Sequence, residues 1–149
     1  MRFYRFTLRE PDSTLPASES CLPVPDSRYQ FSIQVVSRYL QDQSDPDREL
    51  FSFAYTVSIT NTGNVAAQLI SRHWLIRDGR GSVVEVKGLG VVGHQPLLEP
   101  GQRFEYTSGS QIGTPVGSMT GSYFFVAEDG HRFETAIPEF GLSVPRTLH

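Results

Sequence analysis

The residues with the most chemical promise lie in one stretch, Val86-Lys-Gly-Leu-Gly-Val-Val-Gly-His-Gln-Pro96. Gly88, Gly90 and Gly93 have the written form of a dinucleotide-binding fingerprint. In such a site a strand precedes the glycines, a helix follows them, and the pyrophosphate sits on the helix N-terminus. Here Pro96 and Pro100 follow at once. Proline lacks the N–H a helix needs and pushes the residue before it out of the helical region. The expectation is therefore a glycine-rich segment that crosses between two β layers, with no helix behind it. Such a segment can still offer backbone amides to a small anion. Lys87, His94 and Arg72 would supply positive charge beside it. Gly88, Gly90, Gly93, Lys87, His94 and Arg72 form the candidate binding set.

Other reactive side chains are scattered. His73, His94, His131 and His149 include no pair at i,i+4 with a glutamate between, and none lies beside the single cysteine, Cys21. Metal sites need three or four ligands at workable spacing, so no metal is expected. Ser108, in Tyr106-Thr-Ser-Gly109, lacks a nucleophile elbow. Thr107, Ser108 and Ser110 read instead as the end of a strand and its turn, their hydroxyls holding loose backbone groups. The carboxylate pairs Asp45/Asp47 and Glu128/Asp129 sit in polar turns. No catalytic group and no cofactor follow from these residues, and the chain reads as a non-enzyme. Arg72 shares an alternation face with Trp74 and Ile76. It either lines a rim or pairs across strands with Glu85 or Glu105.

The elements that must hold these residues are strands. Phe31, Ile33 and Val35 alternate with polar residues. In Phe51–Ile59 the odd positions are large and apolar, while Ser52, Ala54, Thr56 and Ser58 share the opposite face; this is a half-buried antiparallel strand. Leu69–Arg77 follows after the turn Asn61-Thr-Gly-Asn64. Asp78-Gly-Arg-Gly81 and Glu128-Asp-Gly130 are hairpin signals. Ser82–Lys87, Arg103–Gly109, Ser118–Glu128, His131–Ile137 and a short Gly141–Val144 complete seven to eight strands. No segment carries a helical stripe. The fold class is all-β, an antiparallel sandwich of immunoglobulin or fibronectin type III kind, with Trp74 as its buried tryptophan. Residues 1–28, with Pro11, Pro16, Pro23 and Pro25, read as an extended arm; residues 29–149 read as the sandwich domain.

Composition narrows the function classes. Thirteen basic residues against sixteen acidic ones give a formal charge of -3, which argues against general nucleic-acid binding. One cysteine makes no internal disulfide. No apolar run approaches the ~20 residues of a membrane span, and the N-terminus has no apolar signal core. The expected location is the cytoplasm, without membrane insertion, as a monomer or homodimer.

Phe53–Gly63 (FAYTVSITNTG), Leu69–Gly81 (LISRHWLIRDGRG), Glu85–Gly109 (EVKGLGVVGHQPLLEPGQRFEYTSG), Thr114–Tyr123 (TPVGSMTGSY) and Ile137–His149 resemble the bacterial ApaG family. The likeness runs from about Tyr29 to the end. It implies a fibronectin type III-like sandwich and a link to cobalt resistance and magnesium efflux. Similar domains in eukaryotic F-box proteins and in a protein that interacts with DNA polymerase delta imply a protein-binding module. The family's glycine motif falls on Gly88, Gly90 and Gly93, which implies as an alternative a nucleotide, pyrophosphate or other phosphate-bearing small molecule. The expected partner is an as yet unidentified protein.

Overall fold

The computed structural model describes residues 27–145 and, for residues 5–9, the backbone alone. The strands are β1 Arg5–Arg9, β2 Phe31–Tyr39, β3 Phe51–Asn61, β4 Ala67–Asp78, β5 Val83–Leu89, β6 Leu97–Leu98, β7 Arg103–Ile112, β8 Val116–Ala127 and β9 Arg132–Ser143. They form two antiparallel sheets, one ordered β1-β7-β3-β2 and the other β5-β4-β8-β9, with β6 also beside β4. The sheets pack face to face, so the expected antiparallel sandwich is the observed fold. Among the described residues no helix is long and apolar enough to cross a membrane. Most of the proline-rich arm expected over residues 1–28, residues 10–26 with Cys21, lies outside the described residues, as does His149. Within that arm, Arg5–Arg9 pairs with Arg103–Thr107 of β7.

Period-two alternation builds the core. Phe53, Tyr55, Val57 and Ile59 of β3 face inward with Phe104 and Tyr106 of β7 and Phe31 and Ile33 of β2. Leu69 and Trp74 of β4, Met119, Tyr123 and Phe125 of β8, and Ile137 and Leu142 of β9 meet them from the other sheet. Phe31 and Phe125 stack across the layers with ring centroids 4.1 Å apart, and Trp74 is buried as expected.

Three local expectations need correction. The second face of β3 is not open along its length: Ser52 and Ala54 are buried. Short 3₁₀ turns at Gln41–Gln43 and Pro46–Arg48 precede β3. From the loop that holds them, Ser44 accepts the Ser52 N–H and Gln43 accepts its hydroxyl. Thr107, Ser108 and Ser110 lie within β7, paired with β3, rather than beyond its end. Gly141–Val144 begins no new strand. β9 runs through it after a bulge, in which Pro138 and Glu139 stand opposite Thr120 alone. An edge strand tolerates a proline in such a bulge because no ladder donor is required there.

The sandwich is closed on one side and open on the other. β2 and β9 lie together, joined by the Ser37 hydroxyl donating to the Gly141 carbonyl. On the opposite side β5 forms an edge, and the glycine segment leaves from its end.

Candidate functional site

The glycine segment stays at the edge of the five-stranded sheet. β5 pairs with Ser71–Arg77 of β4, and β6 pairs with Ala67–Gln68 of the same strand. The two are successive pieces of one edge, interrupted by residues 90–96. The Gly90 N–H donates to the Ile70 carbonyl, and the Pro96 carbonyl accepts from Leu69. Gln95 Nε2 also reaches Ile70 O, at 3.0 Å. The excursion is thus pinned at both ends, opposite a bulge in β4 at Leu69/Ser71. The expected crossing between layers takes place later, at Glu99–Gln102 between β6 and β7. An edge strand can bulge outward without breaking a ladder on its free side, so the excursion needs no change of sheet. Among the described residues nothing helical follows Gly93.

Inside the excursion, Val91 and His94 exchange both backbone hydrogen bonds, at 2.8 and 2.9 Å. Between them Val92 and Gly93 both have positive φ, 42° and 82°. That is the requirement of a type I′ turn. Gly90 is fixed by space as well: a Cβ there would stand 2.4 Å from the His94 carbonyl oxygen. Val91 is fully buried in the core. The segment therefore folds down as a plug on the open side of the sandwich. The amides of Gly90, Val91 and His94 are already committed to backbone carbonyls.

Arg72 joins the segment to the interior. Its Nη1 donates to the Leu89 and Gly90 carbonyls at 3.0 and 2.9 Å. The guanidinium lies against Gly88, where a Cβ would come within 2.9 Å of its Nη1, Nη2 and Cζ atoms. Neither expected carboxylate pairs with it. Glu85 accepts from His73 Nε2 at 2.7 Å, and Glu105 accepts from the Ser58 hydroxyl. Arg72 and Glu105 belong to different sheets, while Glu85 stands on the outer face beside His73. The His73 hydrogen bond, with Lys87 nearby, holds the Glu85 carboxyl below its ordinary range. Among the described residues Arg72 makes no ion pair.

Four of the six candidate residues divide between two surfaces. A cleft of about 440 Å³ opens under the turn, walled by Tyr55, Trp74, Tyr106 and Ser108, with Arg72, Leu89 and Val91–Gly93 at its lip. Lys87, Gly88, His73, Ser122 and Glu134 instead line a shallower basin of about 500 Å³ reached also by Arg72. His94 and Gly90 line neither; the His94 ring centroid is 6.3 Å from that of Phe104. Sequence reading missed Tyr55, Tyr106 and Ser108 as site residues. Their signal was the shared inward parity of Tyr55 and Tyr106 on strands that prove to be neighbours.

At the cleft's inner wall Tyr106 and Tyr123 share a hydrogen bond of 2.5 Å between their hydroxyls. Burial raises both phenols far above their ordinary range; the Arg72 charge pulls weakly the other way. His131 lies apart, stacked on Tyr29 at 4.0 Å, where the Tyr29 hydroxyl also donates to Asp129. Among the described residues no three of His, Cys, Asp or Glu converge as metal ligands.

Comparison with known proteins places this geometry. The ApaG domain model matches residues 41–127. Protein ApaG of Ralstonia nicotianae is 62% identical over 123 residues, covering 83% of this chain and 99% of that protein. Protein ApaG of Nitrosomonas eutropha is 60% identical over 124 residues, covering 83% and 98%. A crystal structure from Bordetella pertussis, described as an ApaA protein, superposes with a TM-score of 0.79 at 55% identity, over 83% of this chain and all of that one. With the sandwich fold and the glycine turn in place, the chain belongs to the ApaG family.

Proposed function

We propose that this protein is a non-enzymatic, cytoplasmic binding module that captures an extended segment of a partner protein along the β5–β6 edge. The observation that carries the reading is the edge itself. β5 pairs with β4 on one side only, among the described residues, and Val83, Val84, Leu89 and the β6 residue Leu97 are exposed along it. A free strand edge recognises an extended chain by backbone hydrogen bonds, and flanking pockets select alternate side chains. One such pocket, about 170 Å³, lies at the hairpin end between Ile76, Val84 and Ile112. The cleft under the glycine turn lies at the other end. On this reading the family's link to cobalt resistance and magnesium efflux runs through the partner.

Hydrogen exchange tests it. A protein captured by the full chain should slow exchange at the β5 amides, and Val84→Lys with Leu89→Lys should abolish both capture and protection. Capture that survives the two lysines, or leaves β5 exchange unchanged, refutes the edge. A concentration-dependent dimer lost in the same variant would make the partner a second copy.

A second reading, a phosphate-bearing small molecule at Gly88–Gly93 with Lys87, His94 and Arg72, is favoured by one observation: Arg72 has no acidic partner among the described residues. A saturable rise in melting temperature with pyrophosphate or ATP supports it.

A further inference from the structure

We propose that the outer edge of β7 is a docking strand for an extended peptide with apolar residues at alternate positions, and that this chain occupies it with its own segment Arg5–Arg9, which a partner's strand must displace. The site is independent of the β5–β6 edge, since β7 belongs to the other sheet.

Backbone alternation fixes which groups the edge offers. In an antiparallel strand the N–H and C=O groups of successive residues point to opposite sides. The Asn61 N–H donates to the Gln102 carbonyl at the start of β7, while the Thr62 N–H donates to Gln30 and the Ser52 carbonyl accepts from Leu40, at the two ends of β2. Odd-numbered residues of β3 therefore turn their backbone groups to β7, and even-numbered ones to β2. Ile59 is in register with Phe104, Val57 with Tyr106 and Tyr55 with Ser108. Those three residues of β7 are thus bonded to β3, and Arg103, Glu105 and Thr107 turn their groups the other way. The register partners of Arg103, Glu105 and Thr107 are Arg9, Thr7 and Arg5. Among the described residues only β1 lies along this edge. Without it the edge is bare, of the kind that takes up an extended chain.

The sequence of the segment is in phase with the edge. Phe6 and Leu8 stand in register with Tyr106 and Phe104, the inward residues of β7; Arg5, Thr7 and Arg9 stand in register with residues of the outer parity. Matched apolar alternation of this kind specifies register where one face is buried. Charge adds little. Glu105 is diagonal to both Arg5 and Arg9, but Arg103 is directly opposite Arg9 with like charge. Backbone and alternation carry the pairing, and another segment of the same pattern can supply both.

The fold does not depend on the segment. The likeness to the ApaG family begins at about Tyr29. The Ralstonia nicotianae protein is matched over 99% of its length by 123 residues, and the Bordetella pertussis structure over all of its own, so neither has residues left for a counterpart of β1. A sandwich of that length folds alone. The β7 edge is therefore a surface the family fold leaves open, and β1 is an occupant tethered to it. A tethered occupant competes with a free segment at high effective concentration.

Amide exchange on the full chain reads the occupied edge. Arg103, Glu105 and Thr107 should exchange more slowly than Gly109 and Gln111, which share their parity but lie beyond β1. Thr7→Pro removes the N–H that faces Glu105 and should release all three amides. A chain that starts at Ser27 should bind a synthetic peptide of residues 4–10 saturably and gain protection at the same three amides. The full chain should bind that peptide at least about tenfold more weakly. N-methylation of the peptide at Thr7 blocks a ladder donor and should abolish binding, whereas at Leu8, whose N–H turns away from β7, binding should persist. No saturable binding to the shortened chain by about 1 mM overturns the proposal. So does equal binding by both chains, or an equal effect of the two N-methyl groups. If the shortened chain fails to fold, the exchange of the full chain with and without Thr7→Pro decides: three amides unchanged by the proline refute the site. Protection on β5 instead of β7 refutes this edge and leaves the β5–β6 reading standing. Peptide binding that survives Val84→Lys with Leu89→Lys supports the β7 edge whatever becomes of the other.

Discussion

The hydroxyl oxygens of Tyr106 and Tyr123 stand 2.5 Å apart in the middle of the core, one side chain from each sheet. Both residues are almost wholly buried. The bond therefore links the two layers where water cannot replace it. Removing one partner leaves a buried hydroxyl without its bond, which costs about 1–3 kcal/mol; removing both leaves two apolar rings of nearly the same shape. Tyr106→Phe and Tyr123→Phe should each destabilise by about that amount in urea unfolding. The double variant should be less destabilised than the sum of the singles. Strictly additive singles would mean the bond contributes nothing across the layers.

The same burial sets an alkaline limit. Both phenols are pushed far above their ordinary range, chiefly by desolvation. In the unfolded chain they ionise near pH 10. Above that pH the unfolded state binds fewer protons than the folded one, so stability must fall as pH rises. Below it both states hold their protons and these two groups add no slope. Denaturation monitored by circular dichroism should therefore begin above about pH 10, and the tyrosinate absorbance of two residues should appear with unfolding rather than before it. Full tyrosinate formation in a chain that is still folded would contradict the burial.

Asn61 ties the β3–β4 turn to the crossing between sheets. Its amide nitrogen donates to the Val65 and Leu98 carbonyls at 3.0 and 2.9 Å, and its oxygen accepts the Gly63 N–H. It is 1% exposed, so none of these is replaced by water. Asn61→Ala should cost about 2–4 kcal/mol in chemical denaturation. Asn61→Asp, which has no N–H to give and sets a carboxylate against two carbonyls, should cost at least as much.

The sandwich was legible because alternation survives between the bulges of the core strands: the inward parity of Phe53–Ile59 and of Trp74 is written in residue order. The hairpin at Asp78–Gly81 was legible too, since Asp78 Oδ1 accepts the Arg80 and Ser82 N–H groups as local chemistry dictates. What could not be read was pairing between distant strands. Arg72 was expected against Glu85 or Glu105, because alternation names a face but not which neighbours crowd it. Its true partners are backbone carbonyls, which no pattern of side chains records. The glycine segment misled for a related reason. Its composition says that the chain turns, while the place of the turn, at a sheet edge rather than between sheets, depends on which strand β5 and β6 both adopt.

The turn offers the sharpest separation of space from conformation. Gly90→Ala would drive a Cβ to 2.4 Å from a backbone oxygen, with φ at 65°, and no flexible atom can yield. Gly93 also has positive φ, 82°, but nothing lies within 4 Å of its missing Cβ. Gly93→Ala should therefore cost only the left-handed penalty of about 1–2 kcal/mol, and Gly90→Ala clearly more. Val92 already bears such a penalty at φ 42°. Asparagine adopts that conformation readily and precedes glycine in type I′ turns. Val92→Asn should raise the melting temperature, because relief of the turn outweighs about 0.5–1 kcal/mol of half-buried apolar contact. A variant that melts lower would show that the packing of the Val92 side chain outweighs the strain of its turn.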